Sequence, residues 1–286
     1  MAADQSAARP PAQALTKRLV TAGVLAPLLI GAIVYAERWP LASLLGVFLA
    51  AAAWEWSALA GLTGRVTRAF YTTGVVLTAL WLDQIATDGS ARRLIAMLSV
   101  GVWGGATLLL ARVERGWVPG RWPLAINLLI GALVLLPFWL AVLWLKALDY
   151  RLLLGLAALV WLADSLAYFA GRRFGRHRLA PQISPGKTWE GVLAGLAAAL
   201  PVAAVLGTYC WDGALTTIGL LTLLGIVTIG ISVVGDLFES FFKRRAGVKD
   251  SGRLLPGHGG VMDRIDSLTA AAPMFYLGVI LLGARA

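Results

Sequence analysis

Apolar residues in this chain do not alternate with polar ones. They run continuously for about twenty residues at a time and are broken by short polar stretches. About twenty apolar residues in helical form cross the ~30 Å hydrocarbon core of a bilayer. A membrane barrel needs a two-residue period, so continuous runs favour helices. Nine spans are predicted, at 19–36, 41–62, 70–86, 94–111, 122–145, 152–171, 189–208, 214–235 and 267–283. The expected fold is an all-α polytopic membrane protein of about nine transmembrane helices with a polar site on its cytoplasmic side. Three regions follow: a tail at 1–18, N-terminal membrane helices over 19–150, and a C-terminal region over 151–286 with polar loops at 172–188 and 236–266. Lys17-Arg18 before the first run and Val34-Tyr35-Ala36 at its end mimic a cleavable signal. The run is long for a signal core and the next begins within a few residues, so a retained span is expected.

Composition supports this reading. The 286 residues are 59% hydrophobic with a mean hydropathy of +0.77, and 14% are charged. Soluble domains carry about a quarter charged residues. The net charge of +10 fits loops facing anionic lipid, and no nucleic-acid partner is expected. Cys210 is the lone cysteine, which excludes an internal disulfide and a cysteine metal site. With the N-terminus inside, the inner segments hold 19 of the 25 Lys and Arg residues. This bias sets the orientation and places loops 172–188 and 236–266 together on the cytoplasmic side. A bacterial-type inner membrane is the expected location.

Charge gathers in one place. Residues 236–266 carry five acids and six bases, beside runs that should lie in lipid. If the eighth helix continues past Gly235, Asp236, Ser240, Lys243 and Arg244 share one face. Glu239 and Lys243 form an i,i+4 pair on a neighbouring line. Lys249-Asp250 follows, then the turn-rich Pro256-Gly257-His258-Gly259-Gly260, then Asp263-Arg264-Ile265-Asp266 just before the last span. Two acids thus flank adjacent membrane helices, with bases and a glycine loop between them. This set suits a metal-bridged polyphosphate. Mg²⁺ binds through one or two carboxylates plus substrate phosphates, Lys and Arg neutralise the rest, and glycine lets backbone amides approach. A solvated stop-transfer loop is the alternative, but it needs only bases and gains nothing from five acids.

The stretch 161–191 is the second unusual one. Asp164 sits in an apolar helix, and an intramembrane acid is a functional candidate unless it hydrogen-bonds a neighbouring helix. Ser184-Pro185-Gly186-Lys187-Thr188 follows a basic run. Gly-Lys-Thr is not a P-loop here, because Pro181 stands where that motif needs glycine. Ser184, Lys187 and Thr188 can still meet phosphate, and Ser184 or Thr188 can cap the next helix with Glu190 in its first turn. Asp88-Gly89-Ser90-Ala91-Arg92 echoes the opening of the CDP-alcohol phosphatidyltransferase motif, but it is one residue short and no acid follows within 94–111. Glu55, between Trp54 and Trp56, is either a structural hydrogen-bonding acid or part of a substrate groove. His177 and His258 are too far apart in sequence to propose as a metal pair.

The pattern Ser240-x-Phe242-Lys243-Arg244-x4-Lys249-Asp250-x-Gly252-x2-Leu255-Pro256-x-His258-Gly259-Gly260-Val261-x-Asp263-Arg264-Ile265-Asp266 resembles the signature of phosphatidate cytidylyltransferases, the CDP-diacylglycerol synthases. Asp164-Ser165-x-Ala167-Tyr168 and Ser184-Pro185-x-Lys187-Thr188-x-Glu190-Gly191 are similar to a second region of that family. The N-terminal third matches only in general character. The resemblance implies the reaction of CTP with phosphatidate to give CDP-diacylglycerol and pyrophosphate, with Mg²⁺ and room for a second cation. It implies that Asp236 and Asp263 hold metal, and that Lys243, Arg244 and Lys249 bind CTP phosphates. Ser240, Asp250, Arg264 and Asp266 complete the site, and His258, Gly259 and Gly260 form its turn. Ser184, Lys187, Thr188 and Asp164 make the facing wall. Asp236, Asp263, Lys243, Arg244 and Asp266 carry catalysis on this reading. A homodimer is also admitted, but the sequence does not give the oligomeric state. The rival readings are an ion-coupled transporter that relays charge through Asp164, Glu55 and Asp236, and a CTP-dependent lipid kinase that would release CDP.

Overall fold

The computed structural model describes residue 23 and residues 27–252, 254 and 259–283. Nine helices follow a short helical stretch at 27–35: α1 (Arg38–Leu59), α2 (Arg65–Ile85), α3 (Gly89–Glu114), α4 (Leu124–Leu148), α5 (Tyr150–Phe174), α6 (Trp189–Leu196), α7 (Ala199–Cys210), α8 (Leu215–Arg245) and α9 (Met262–Leu281). Seven helical segments among the described residues are long and apolar enough to cross a membrane, with α6 and α7 counted as one, Trp189–Cys210. The nine expected spans differ from this set at two points. The first, 19–36, lies partly outside the described residues, and its described part is the helical stretch at 27–35. The third corresponds to α2, a 21-residue helix that is not among the seven.

The helices run up and down, and their contacts sort the ends onto two sides. On one side Trp56 Nε1 donates to the Asn127 carbonyl at 2.9 Å, and Arg245 reaches the Gly120 carbonyl at 2.9 Å. The Ile183 and Gln182 amides there donate to Glu114 at 3.0 and 3.2 Å. On the other side Arg38 pairs with Asp83 at 2.6 Å, and Arg151 donates to the Tyr209 carbonyl at 2.9 Å. The connections 60–64, 115–123, 175–188 and 246–261 therefore share the first side. They include both charged stretches.

Local chemistry explains several boundaries. The expected seventh span is broken at 197–198, between α6 and α7. Pro201 lacks an amide proton and its ring crowds the carbonyl four residues back, which places the break there. Asp88 accepts the Ala91 amide at 3.1 Å and so caps α3, which accounts for the motif-like Asp88-Gly89-Ser90. The loop expected at 172–188 contains a two-stranded antiparallel hairpin, β1 (Arg178–Ala180) and β2 (Ser184–Thr188), with Arg178 opposite Thr188 and Ala180 opposite Ser184.

Without a hydrophobic drive between helices in lipid, close packing holds them together. A Cβ at Gly191 would lie 2.7 Å from the Ala167 carbonyl, and one at Gly195 3.0 Å from that of Ala163, so α5 and α6 touch backbone to backbone. Gly235 on α8 plays the same part against α9, where a Cβ would lie 2.6 Å from the Asp266 carbonyl. The polar-side end of α8 is anchored by aromatic rings. Phe242 lies 4.8 Å from Trp56 and 5.1 Å from Phe238, and Phe238 packs on Trp103 at 5.5 Å. These pairs prefer tilted and edge-on geometry, which fixes rotation as well as position.

Candidate active site

Helix α8 does continue past Gly235, for ten residues. It stops in a Schellman turn. The Val248 amide donates to the Lys243 carbonyl at 2.9 Å, the Gly247 amide to that of Arg244 at 3.1 Å, and Gly247 takes φ +70°. Helix α9 begins at Met262, five residues before the expected span, so Asp263 and Asp266 lie in its first turns. Because Gly235 lets α8 and α9 touch, the acids of both helices meet.

Two ion-paired groups result. In the first, Lys187 Nζ on β2 lies 2.6 Å from Asp236 Oδ2, and the Ser240 hydroxyl lies 3.4 Å from Asp236 Oδ1. Asp164, exposed on α5, is within electrostatic reach of both Lys187 and Asp236. In the second, Lys243 Nζ bridges Glu239 at 2.5 Å and Asp263 Oδ1 at 2.7 Å. Its side chain is only 12% exposed and that of Glu239 1%, so this is a buried triad rather than a free cation. The other oxygen of Asp263 accepts the Ser251 amide at 3.0 Å, the Ser251 hydroxyl at 3.0 Å and the Gly260 amide at 2.8 Å. Asp266 lies within electrostatic reach of Asp236, Lys187 and Lys243 and so links the two groups.

The remaining candidates fall around this core. Arg244 is exposed, with Nε 3.5 Å from the Ile183 carbonyl. Lys249 and Asp250 are exposed on the loop, and Arg264 is exposed on the first turn of α9. Gly259 adopts φ +82°, and a Cβ there would sit 2.9 Å from Asp263 Oδ2. Thr188, not Ser184, caps α6, accepting the Gly191 amide at 3.2 Å. Ser184 is half-buried in β2. Glu190 closes the hairpin by pairing with His177 Nδ1 at 2.6 Å. His258 lies outside the described residues.

The residues suit Mg²⁺ by donor chemistry. Asp236 and Asp263 each turn one carboxylate oxygen toward a lysine ammonium. An oxygen that faces an ammonium can face a metal ion instead. No three His, Cys, Asp or Glu side chains converge as a metal cage among the described residues. Mg²⁺ takes one or two carboxylates and completes its shell with water and substrate phosphate.

Residues 16–282 match the cytidylyltransferase family. The chain belongs to the cytidylyltransferase family. It is 44% identical over 269 residues to a phosphatidate cytidylyltransferase of Pseudomonas aeruginosa, covering 91% of this chain and 95% of that one. It is 40% identical over 285 residues to a phosphatidate cytidylyltransferase of Haemophilus influenzae, covering 91% and 97%. A phosphatidate cytidylyltransferase of Brucella abortus is 48% identical over 122 residues, covering 43% of this chain and 44% of that one.

Two site neighbours had little signal in the sequence of this cytidylyltransferase family member. Ser251 stands at a variable position of the quoted pattern, yet its hydroxyl lies 3.0 Å from Asp263 and 3.1 Å from Glu55. Glu239 was visible as the i,i+4 partner of Lys243, but not as a member of the Asp263 group.

Proposed function

We propose that this chain transfers the cytidylyl group of CTP to phosphatidate, giving CDP-diacylglycerol and pyrophosphate in phospholipid biosynthesis. The observation that carries the reading is the near full-length match to two bacterial phosphatidate cytidylyltransferases. The paired carboxylates and lysines at the ends of two membrane helices support it.

The chemistry asks little of a general base. A phosphate monoester has a second pKa of about 6, so phosphatidate is largely a dianion at neutral pH. One of its oxygens attacks the CTP α-phosphorus, the bond to the β-phosphate breaks, and pyrophosphate leaves. The obstacle is bringing two anions together, which calls for positioning and fixed positive charge. Asp236 and Asp263 are the residues proposed to hold Mg²⁺, which neutralises triphosphate charge when bound. Arg244, Lys249 and Arg264, all exposed beside the loop, are proposed to take the CTP phosphates. Lys243 is buried between Glu239 and Asp263, and its proposed part is to hold Asp263. Lys187 and Ser184, on the hairpin, face the phosphatidate headgroup on this reading. On this reading the charged ends face the cytoplasm from a bacterial inner membrane, which is supported by the 19 of 25 basic residues that fall on that side.

Labelled CTP tests the reaction. Purified protein with phosphatidate and Mg²⁺ should pass an α-phosphate label to lipid and a γ-phosphate label to pyrophosphate. A γ label arriving on lipid would make the protein a CTP-dependent lipid kinase.

A further inference from the structure

Glu55 lies near the end of α1, about 200 residues from the signature loop, and is 2% exposed. Its carboxylate accepts the Val261 amide at 3.0 Å and the Met262 amide at 2.8 Å, and the Ser251 hydroxyl, whose one proton it shares with Asp263, lies 3.1 Å away. It thus holds the entry to α9, where the helix leaves amides unpaired and favours negative charge. The same Ser251 hydroxyl lies 3.0 Å from Asp263 Oδ2, so Glu55, Ser251 and Asp263 form a continuous chain. Two signature glycines are fitted to this carboxylate. A Cβ at Gly252 or at Gly260 would lie 2.7 Å from Glu55 Cδ. These glycines therefore serve a protein carboxylate, and the Gly260 amide is spent on Asp263 at 2.8 Å. A buried acid costs stability unless it is fully hydrogen-bonded. Here the bonds all go to the segment that presents Asp263.

We propose that Glu55 is a positioning residue for the reaction: through Ser251 and the Val261 and Met262 amides it sets where the Asp263 carboxylate stands. The proposal rests on Asp263 belonging to the reaction machinery. It gives a residue of the N-terminal half a part in placing the site.

The test compares full-length wild type, Glu55→Gln, Ser251→Ala and the double variant. Glu55→Gln keeps the shape but turns an amide group toward backbone donors. Each single change should lower kcat by roughly tenfold while KM for CTP and for phosphatidate stays within about twofold. The double variant should be little worse than the weaker single variant, since both cut one chain of contacts. Hydrogen exchange of the 259–263 amides, followed without metal, should rise at least tenfold or so in Glu55→Gln at an unchanged thermal midpoint. Losses that multiply to about a hundredfold, or an unchanged kcat in Glu55→Gln, overturn the proposal. If wild type makes no CDP-diacylglycerol, the reaction reading fails, and the exchange result alone decides whether Glu55 holds the loop.

Discussion

Lys187 Nζ on the hairpin lies 2.6 Å from Asp236 Oδ2 on α8. The contact joins the two charged stretches, 172–188 and 236–266, and it fixes the hairpin over the helix ends. Both side chains remain about a quarter exposed, at 23% and 29%. A pair of that exposure contributes about 0–1 kcal/mol to stability. Its worth is in placing an ammonium beside a carboxylate where two anionic substrates are proposed to meet.

Lys187→Met should therefore leave the thermal midpoint within a degree or two but lower kcat/KM by on the order of 100-fold. Activity assays and thermal unfolding in the same detergent check both halves. A large fall in stability with modest loss of activity would mean that the pair is merely a brace.

Lys243 gives the opposite pattern. Its ammonium is buried between Glu239 and Asp263, and Lys243→Met leaves two carboxylates there without a cation. Stripping one member from a buried ionic group costs about 3–5 kcal/mol. Lys243→Met should lower the unfolding midpoint well beyond Lys187→Met, and adding Glu239→Gln should recover part of the loss. Equal midpoints for the two lysine variants would contradict the buried triad.

Gly235 tests the close approach of α8 and α9. A Cβ there would lie 2.6 Å from the Asp266 carbonyl and 3.1 Å from Ala270 Cβ. Gly235→Val should push the helices apart, cost roughly 1–3 kcal/mol and abolish most activity, because acids from both helices are proposed to form the site. Gly230, with nothing within 4 Å of its Cβ position, should accept alanine with little change. Thermal unfolding and turnover of the two variants side by side decide it.

The sidedness can be read by labelling. With Cys210 replaced by serine, a cysteine at Gly120 should react with an impermeant thiol reagent only from the cytoplasmic face, and one at Asp212 only from the other. Reaction of Gly120→Cys from outside would invert the proposed orientation.

Much of this architecture was legible in the sequence because lipid imposes length and continuity on apolar runs. The extension of α8 and the placing of Asp263 and Asp266 beside its end follow from charge that lipid would reject. The hairpin at 178–188 was not legible: its strands have three and five residues, and the longer holds Pro185, Gly186 and Lys187, so no alternation marks them. Nor were the Asp263 contact of Lys243 and the partners of Glu55. Lys243 reads as a phosphate contact on a helix face, yet its partner Asp263 comes from the next helix. The Glu55 carboxylate meets residues some 200 positions away, and no local period reports such a contact. The glycines of the signature were visible, but their fit to Glu55 needs three dimensions.

The most direct test gives purified wild type, Asp236→Asn and Asp263→Asn the same phosphatidate, CTP and Mg²⁺, and follows CDP-diacylglycerol together with pyrophosphate. Both products should appear with wild type and fall by at least a thousandfold or so in each variant, while Asp236→Asn keeps its fold. Full activity in either variant would contradict the placement of the reaction at these helix ends.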